Sequence, residues 1–174
     1  MGALDVGGRP AVGYPASELL LRSGVHPVFE HTMVAGWADM DFNAHMRNTA
    51  YLDKSADTRM HYFAARGYPI EEFGRQRLGP VVRKDELMYF REIGLLERFT
   101  VTMVLAGMSN DGSPWILRTE FIRVDGKQAA VVRSIGGWLD LSGRKLVAPP
   151  PALFAAMNAL GRAPDFEQLT SSIR

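Results

Sequence analysis

No cysteine occurs among the 174 residues. That removes disulfides, thiolate nucleophiles and Cys-ligated zinc together, and it fits a reducing cytoplasm, the compartment expected here. Net charge is almost absent as well. The formal balance is +1, which gives no electrostatic case for nucleic acid or an anionic membrane as partner, although a small excess of base suits a small anionic ligand. No apolar run approaches the roughly 20 residues that cross a bilayer. The N-terminus, Met1-Gly2-Ala3-Leu4-Asp5-Val6, places an acid where a signal peptide carries base, and Val6 stands where N-myristoylation needs Ser or Thr. The expectation is a soluble cytoplasmic protein without membrane or nucleic-acid partner.

What is present is a globular composition, 47% hydrophobic and 22% charged, in a chain long enough to bury one substantial core. Residues 1–27 are rich in Gly and Pro and poor in large apolar side chains, and read as a flexible arm. One or two helical turns at Ser17–Arg22 are stopped there by Gly24. Residues 161–174 are polar and read as a loose tail. The folded domain is expected over residues 28–160.

Within it a strand at about His31–Trp37 precedes a helix from Asn48 to Arg66, in which Tyr51, Leu52, Ser55, Ala56, Arg59, Tyr62 and Phe63 share one side. Small Ser55 and Ala56 in mid-stripe would let a sheet backbone lie close; an amphipathic surface helix has the same pattern. Gly67 ends the helix, and Ile70–Leu78 reads as a charged connector. Strands follow at Val81–Phe90, Arg98–Ala106, Trp115–Val124 and Gln128–Asp140, with Asn110-Asp111-Gly112 and Asp125-Gly126 as turns. Gly136-Gly137 signals a bulge or a close backbone approach. Leu141–Lys145 is a turn, and the prolines at 149–151 precede a short helix over Ala152–Leu160. One strand, a long helix and four hairpin-connected strands define an α+β fold, an antiparallel five-stranded sheet on one long central helix. Its edge strands and partly covered face imply dimerisation.

The strand-to-helix turn carries the chemistry-bearing residues: Asp39-Met40-Asp41-Phe42-Asn43-Ala44-His45-Met46-Arg47-Asn48-Thr49-Ala50-Tyr51-Leu52. This run resembles the D-x-D-x-x-G-H-V-N-N-x-x-Y-L signature of the 4-hydroxybenzoyl-CoA thioesterase-like branch of the hotdog superfamily. Both acids, the His, the second Asn, the Tyr and the Leu are in register. Ala44 departs from the usual Gly and Arg47 from the first Asn. The segments Gly79-Pro80-Val81-Val82, Tyr89-Phe90 and Trp138–Leu141 extend the likeness over residues 28–160. The resemblance implies a hotdog fold, an acyl-CoA or acyl-carrier-protein substrate, no cofactor, and a homodimer or dimer of dimers.

It also implies that Asp41 is the catalytic carboxylate, either nucleophile on the thioester carbonyl or base on water. Partial desolvation at the mouth of an apolar cleft would make it more basic; the plain alternative is a turn acid binding local amides. Asp39 is assigned structural duty. The helix N-terminus at Arg47–Thr49 offers amides and a dipole to a developing oxyanion, with Asn48 as cap or water holder. His45 stands as a second catalytic candidate or a tie within the turn. Phe42, Asn43, Arg47, Tyr51, Met60 and Phe90 are the substrate-binding candidates, plain core packing being the alternative for the apolar ones. Arg83, Lys84, Arg91, Arg144 and Lys145 are available to CoA phosphates. Asp39, Asp41 and His45 are ligand types, but nothing else in the chain supports a metal, so none is expected. His26, His31 and His61 read as surface or structural residues.

Two other readings compete with hydrolysis. An enoyl-thioester hydratase of the same fold uses a D-x-N-P-x-H-type motif, but here the His comes one position early, Pro is missing at 44, and Arg47 replaces the expected acid. A non-catalytic acyl-CoA-binding dimer is the third.

Overall fold

Hydrophobic alternation in the second half of the chain builds one sheet, and the long amphipathic segment lies across it. The computed structural model describes residues 27–173; the expected arm and its short helix, apart from Pro27, lie outside the described residues. In chain order the elements are β1 (Phe29–Val34), a 3-10 turn (Trp37–Asp39), α1 (Asn48–Ala65), α2 (Ile70–Arg75), β2 (Leu78–Tyr89), β3 (Arg98–Ser109), β4 (Pro114–Arg123), β5 (Gln128–Asp140), β6 (Lys145–Val147), α3 (Pro151–Ala159) and β7 (Arg162–Leu169). The sheet runs β1-β3-β4-β5-β2, and each of these neighbouring pairs is antiparallel. This is the expected α+β arrangement.

The buried face of α1 comprises Ala50, Tyr51, Ser55, Thr58, Arg59, Tyr62 and Phe63. Leu52 and Ala56 are only half-buried. Ser55 does allow close approach: its hydroxyl meets that of Thr119 on β4 at 2.9 Å, so helix and sheet touch through a polar contact in the middle of the core. On either side of it lie two apolar clusters. One packs Tyr62, Phe63, Trp115 and Trp138 against α2 and α3. The other gathers Met46, Tyr51, Ile93, Phe99 and Phe121 beneath the strand-to-helix turn. Gly67, at φ 76°, takes the left-handed conformation that stops α1.

The Gly136-Gly137 pair marks a close approach. A Cβ at Gly136 would sit 2.4 Å from Cη2 of Trp115 and 2.6 Å from the Val81 carbonyl oxygen. Opposite it the β2–β5 register shifts between Val82 and Lys84, leaving Arg83 as the extra residue of a bulge.

Three segments differ from expectation. Ile70–Arg75 is helical rather than a connector, with Glu71 and Glu72 in its first turn and Arg75 paired to Glu72 at 2.6 Å. Lys145–Val147 extends the turn into a short strand on β5. Most consequentially, the polar tail is not loose. β1 occupies the edge of β3 only as far as Met103, and β7 takes the edge beyond it, pairing in parallel with Leu105–Ser109. Main-chain bonds and ion pairs hold it, Asp165 to Arg118 at 2.9 Å and Glu167 to Arg133 at 2.5 Å, so no apolar period announces it.

Past β7, the Ser171 hydroxyl donates to Asp111 at 2.5 Å, and the Ser172 amide donates to the Ser113 hydroxyl at 3.1 Å. Burial alone would raise the Asp111 carboxyl, but hydrogen bonds from Ser109, Ser171 and Ser113 hold it well below the usual carboxylate range. Among the described residues no helix is long and apolar enough to cross a membrane.

Candidate active site

β1 delivers the chain to the 3-10 turn, and Asp39 fixes that turn. One of its carboxylate oxygens accepts the Gly36 amide at 2.8 Å, and the other lies 3.2 Å from Nζ of Lys54 on α1. The Asp39 carbonyl accepts the Arg47 amide at 2.8 Å. Asp39 is buried and does the structural work expected of it, clamping the entry of the turn to the side of the helix that leaves it.

The next five residues close a loop on Asp41. Its amide donates to the His45 carbonyl at 2.8 Å, and its own carbonyl accepts the Ala44 amide at 3.1 Å. Its Oδ1 accepts the amides of Asn43 at 2.8 Å and His45 at 3.3 Å. Oδ2 makes no hydrogen bond among the described residues. The carboxylate therefore serves as a turn acid through one oxygen and presents the other outward. In the single chain Asp41 is exposed, so the desolvation expected at a cleft mouth is not supplied by this chain alone. Isolated bridges, Met40 to Met46 and His45 to Gly94, stitch the loop to its neighbours.

Ala44 sits at φ 59°, the left-handed region that glycine adopts without steric cost. The turn thus keeps the backbone shape of the motif although its Cβ works against it. Ala44→Gly is expected to raise unfolding stability by up to about 1 kcal/mol, and Ala44→Val to lower it by about 2 kcal/mol, both read from urea melts. A less stable Gly variant would show that the turn is not held in this conformation.

The entry to α1 is more constrained than the spacing suggested. The Arg47 amide is taken by Asp39 and the Thr49 amide by Asn48 Oδ1 at 2.8 Å. Of the three amides at 47–49, only that of Asn48 has no acceptor among the described residues. Asn48 is the first residue of the helix and not its N-cap, which is Arg47, but its Oδ1 takes up the Thr49 amide of the first turn. Arg47 is not a free charge at the site mouth: Nε donates to the Thr49 hydroxyl at 2.9 Å, Nη1 to the Ala38 carbonyl, and Nη2 lies 3.5 Å from Asp53. It braces the turn.

Of the remaining candidates, His45 is exposed and its imidazole makes no hydrogen bond among the described residues; Phe42 is 98% exposed at the tip. Tyr51 is buried edge-to-face against Phe121 and Tyr89, at 5.1 and 5.4 Å. Its hydroxyl is pushed up to about 12, chiefly by burial and then by Tyr89, so it stays protonated at neutral pH. Met60 lies a dozen residues along α1 from Asn48, about 18 Å by helical rise, and packs on the cluster at the other end of the core. The structure does not bring it to the turn. Phe90, half-exposed beyond β2, gives its amide to Ala129 at 2.7 Å.

Of the residues set aside for CoA, Lys84 is paired to Glu86 at 2.6 Å and Arg91 donates to the Gln128 carbonyl at 3.0 Å. His31 and His61 stack at 4.1 Å between β1 and α1. One residue of the site escaped the sequence reading. The Tyr89 hydroxyl donates to the Asn48 carbonyl at 3.4 Å, linking the end of β2 to the start of α1. Its signal was the alternation Asp85, Leu87, Tyr89, the β2 face turned toward the helix.

A sheet of this order wrapped on one long helix, with a carboxylate-bearing turn at that helix's N-terminus, is a hotdog domain. The profile of the Thioesterase-like superfamily matches residues 35–157, and the chain belongs to that superfamily. Solved structures with the same fold include the hypothetical protein SAV2348 of Staphylococcus aureus in complex with CoA. It is 18% identical with a TM-score of 0.71, over 88% of this chain and 94% of that one. The 1,4-dihydroxy-2-naphthoyl-CoA thioesterase Slr0204 of Synechocystis is 11% identical with a TM-score of 0.68, over 75% and 96%. The probable thioesterase YbaW of Escherichia coli is 18% identical with a TM-score of 0.63, over 75% and 97%. No curated protein matches the chain.

Proposed function

We propose that this protein hydrolyses acyl-CoA thioesters at the Asp41 turn. The observation that carries the proposal is that, in the segment 41–48, the Oδ2 of Asp41 and the amide of Asn48 at the start of α1 are both left without local bonds. Membership of the thioesterase-like superfamily supports the reaction class, and the CoA complex of the staphylococcal relative supports CoA as carrier.

In the proposed reaction the thioester carbonyl oxygen faces the Asn48 amide, where the helix dipole favours negative charge. Asp41 takes a proton from water, whose oxygen bonds to the carbonyl carbon. The tetrahedral oxyanion then collapses, the C–S bond breaks, and the proton passes to the departing thiolate. Attack by Asp41 itself, through an anhydride that water opens, uses the same geometry. A single turnover in isotopically labelled water tests the anhydride route: water that opens the anhydride at the Asp41 carboxyl carbon leaves label in Asp41, which the general-base route cannot do.

The functional unit in this proposal is a homodimer. The outer edge of β2 has no partner strand among the described residues; Met88 and Tyr89 at the end of that strand and Phe90 just past it are exposed, as is Phe42 in the Asp41 turn. A second copy seated there would cover the site mouth and supply the desolvation that one chain lacks. A panel of acyl-CoAs, from short aliphatic to aromatic, is expected to release free thiol at the wild-type site. Loss of the double bond of crotonyl-CoA without thiol release would replace hydrolysis by hydration. Saturable binding without either would leave a binding protein.

A further inference from the structure

The face of α1 turned to the sheet carries one side chain that the core does not explain. Arg59 is 8% exposed, yet its guanidinium makes no hydrogen bond and no ion pair among the described residues, and its Nε is fully enclosed without an acceptor. It rests on the ring of Trp115, 5.4 Å from the centroid. The indole Nε1 of Trp115 is likewise buried without an acceptor. Both groups are donors only. A guanidinium keeps its charge inside a protein and is costly to bury without a counter-ion, so two unanswered donors on side chains in contact leave the demand for an acceptor unmet.

The nearest anion of the fold does not fill it. Asp85 on β2 is exposed and bound to the Ser134 hydroxyl at 2.6 Å, and it reaches Arg59 only through space. Burial pulls the Arg59 guanidinium down from its ordinary value, and Asp85 only partly opposes this.

The position of Arg59 relates it to the Asp41 turn. The seam between α1 and β2 begins where Tyr89 touches Asn48 and Tyr51. It continues past half-buried Leu87 and ends at Asp85 and Arg59. From Asn48 to Arg59 the helix rises about 16 Å, and an arginine side chain on a helix leans back toward the N-terminus. An extended acyl chain of medium length, with its thioester at the start of α1, would bring its far end to the guanidinium.

We infer that Arg59 is a specificity residue that receives a carboxylate at the far end of the acyl chain, making a dicarboxylic acyl-CoA the preferred substrate class. The inference rests on the thioesterase reading above. A carboxylate there would pair with the guanidinium and accept from the Trp115 indole, satisfying both donors at once.

Suberoyl-CoA and octanoyl-CoA have acyl chains of equal length, one ending in a carboxylate and the other in a methyl group, and so provide the test. The wild-type protein is expected to favour suberoyl-CoA in kcat/KM by between about tenfold and a hundredfold. Arg59→Met is expected to reverse that order, and Arg59→Lys to restore part of it. Binding is read separately in an Asp41→Asn background, where suberoyl-CoA should raise Tm and should cease to do so once Arg59→Met is added. Without ligand, Arg59→Met is expected to melt no lower than wild type, because it removes an unpaired buried charge.

A wild-type preference for octanoyl-CoA, or a preference that Arg59→Met leaves unchanged, overturns the role of Arg59 and leaves the hydrolase standing. A Met variant that melts well below wild type with an unaltered substrate ratio makes Arg59 structural and has the same consequence. Binding of suberoyl-CoA that depends on Arg59, with no thiol released from any acyl-CoA, supports the carboxylate receptor and overturns the hydrolase.

Discussion

Replacing Asp41 by Asn is expected to lower kcat for thiol release by between about a hundredfold and ten-thousandfold, the usual worth of a positioned general base. The substitution is informative because of how the turn is built. The carboxylate serves the fold only by accepting the Asn43 and His45 amides through Oδ1, and an amide oxygen can accept both. What Asn removes is the negative charge and basicity, including those of the oxygen turned outward. Circular dichroism and Tm should therefore remain near wild type while turnover collapses. Asp41→Ala, which also abandons the two amides, should lose activity and some stability together.

Asp39→Asn is the matched control. It weakens the contact with Lys54 on α1, 3.2 Å away, so stability should fall while most turnover survives. Undiminished thiol release by Asp41→Asn would dismiss Asp41 from the chemistry.

The largest structural effect is expected from the smallest substitution. Gly136→Ala places a methyl group 2.4 Å from the Trp115 ring and 2.6 Å from the Val81 carbonyl oxygen. The ring is fully enclosed and the carbonyl belongs to a paired strand, so neither can swing aside as the end of a flexible side chain would. Overpacking at such a point costs about 3 kcal/mol, which for a domain of this size lowers Tm by roughly 10 °C. Thermal melts followed by circular dichroism measure it. A shift within a degree or two would mean that β2 and β5 can part there, and that the bulge at Arg83 is not fixed by the glycine opposite.

What was legible in the sequence divides along the range of the interactions. α1, with Ser55 as its point of close approach, and the hairpin-linked strands β3, β4 and β5 are written in local periodicity and turn chemistry, as is the turn that carries Asp39 and Asp41. β7 could not be read this way, since its partner is the stretch of β3 that β1 leaves uncovered and its fastening is main-chain bonds and the ion pairs of Asp165 and Glu167. α2 was obscured by its brevity and by Gly74, although acids in its first turn and Arg75 in its last were present.

In the site, Asp39's structural part followed from position, but its partner Lys54 did not. Tyr89 lies on the alternation Asp85, Leu87, Tyr89, but only its contact with Asn48 tells that this β2 face is the one turned to the helix. Met60 has the chemistry of a pocket residue, and the length of α1 sets it about 18 Å from the turn, on the cluster at the other end of the core.

The loop from Asp41 to His45 is held by main-chain bonds and by one carboxylate oxygen, while the side chains of Phe42 and His45 take no part in holding it. Shape and lining are therefore encoded by different atoms. Variation at these two positions leaves the bonds that place Asp41 untouched. On the proposed thioesterase reading, such a division would let one turn drift between acyl groups over evolutionary time, and Phe42 and His45 become the first positions to randomise when a different acyl group is wanted.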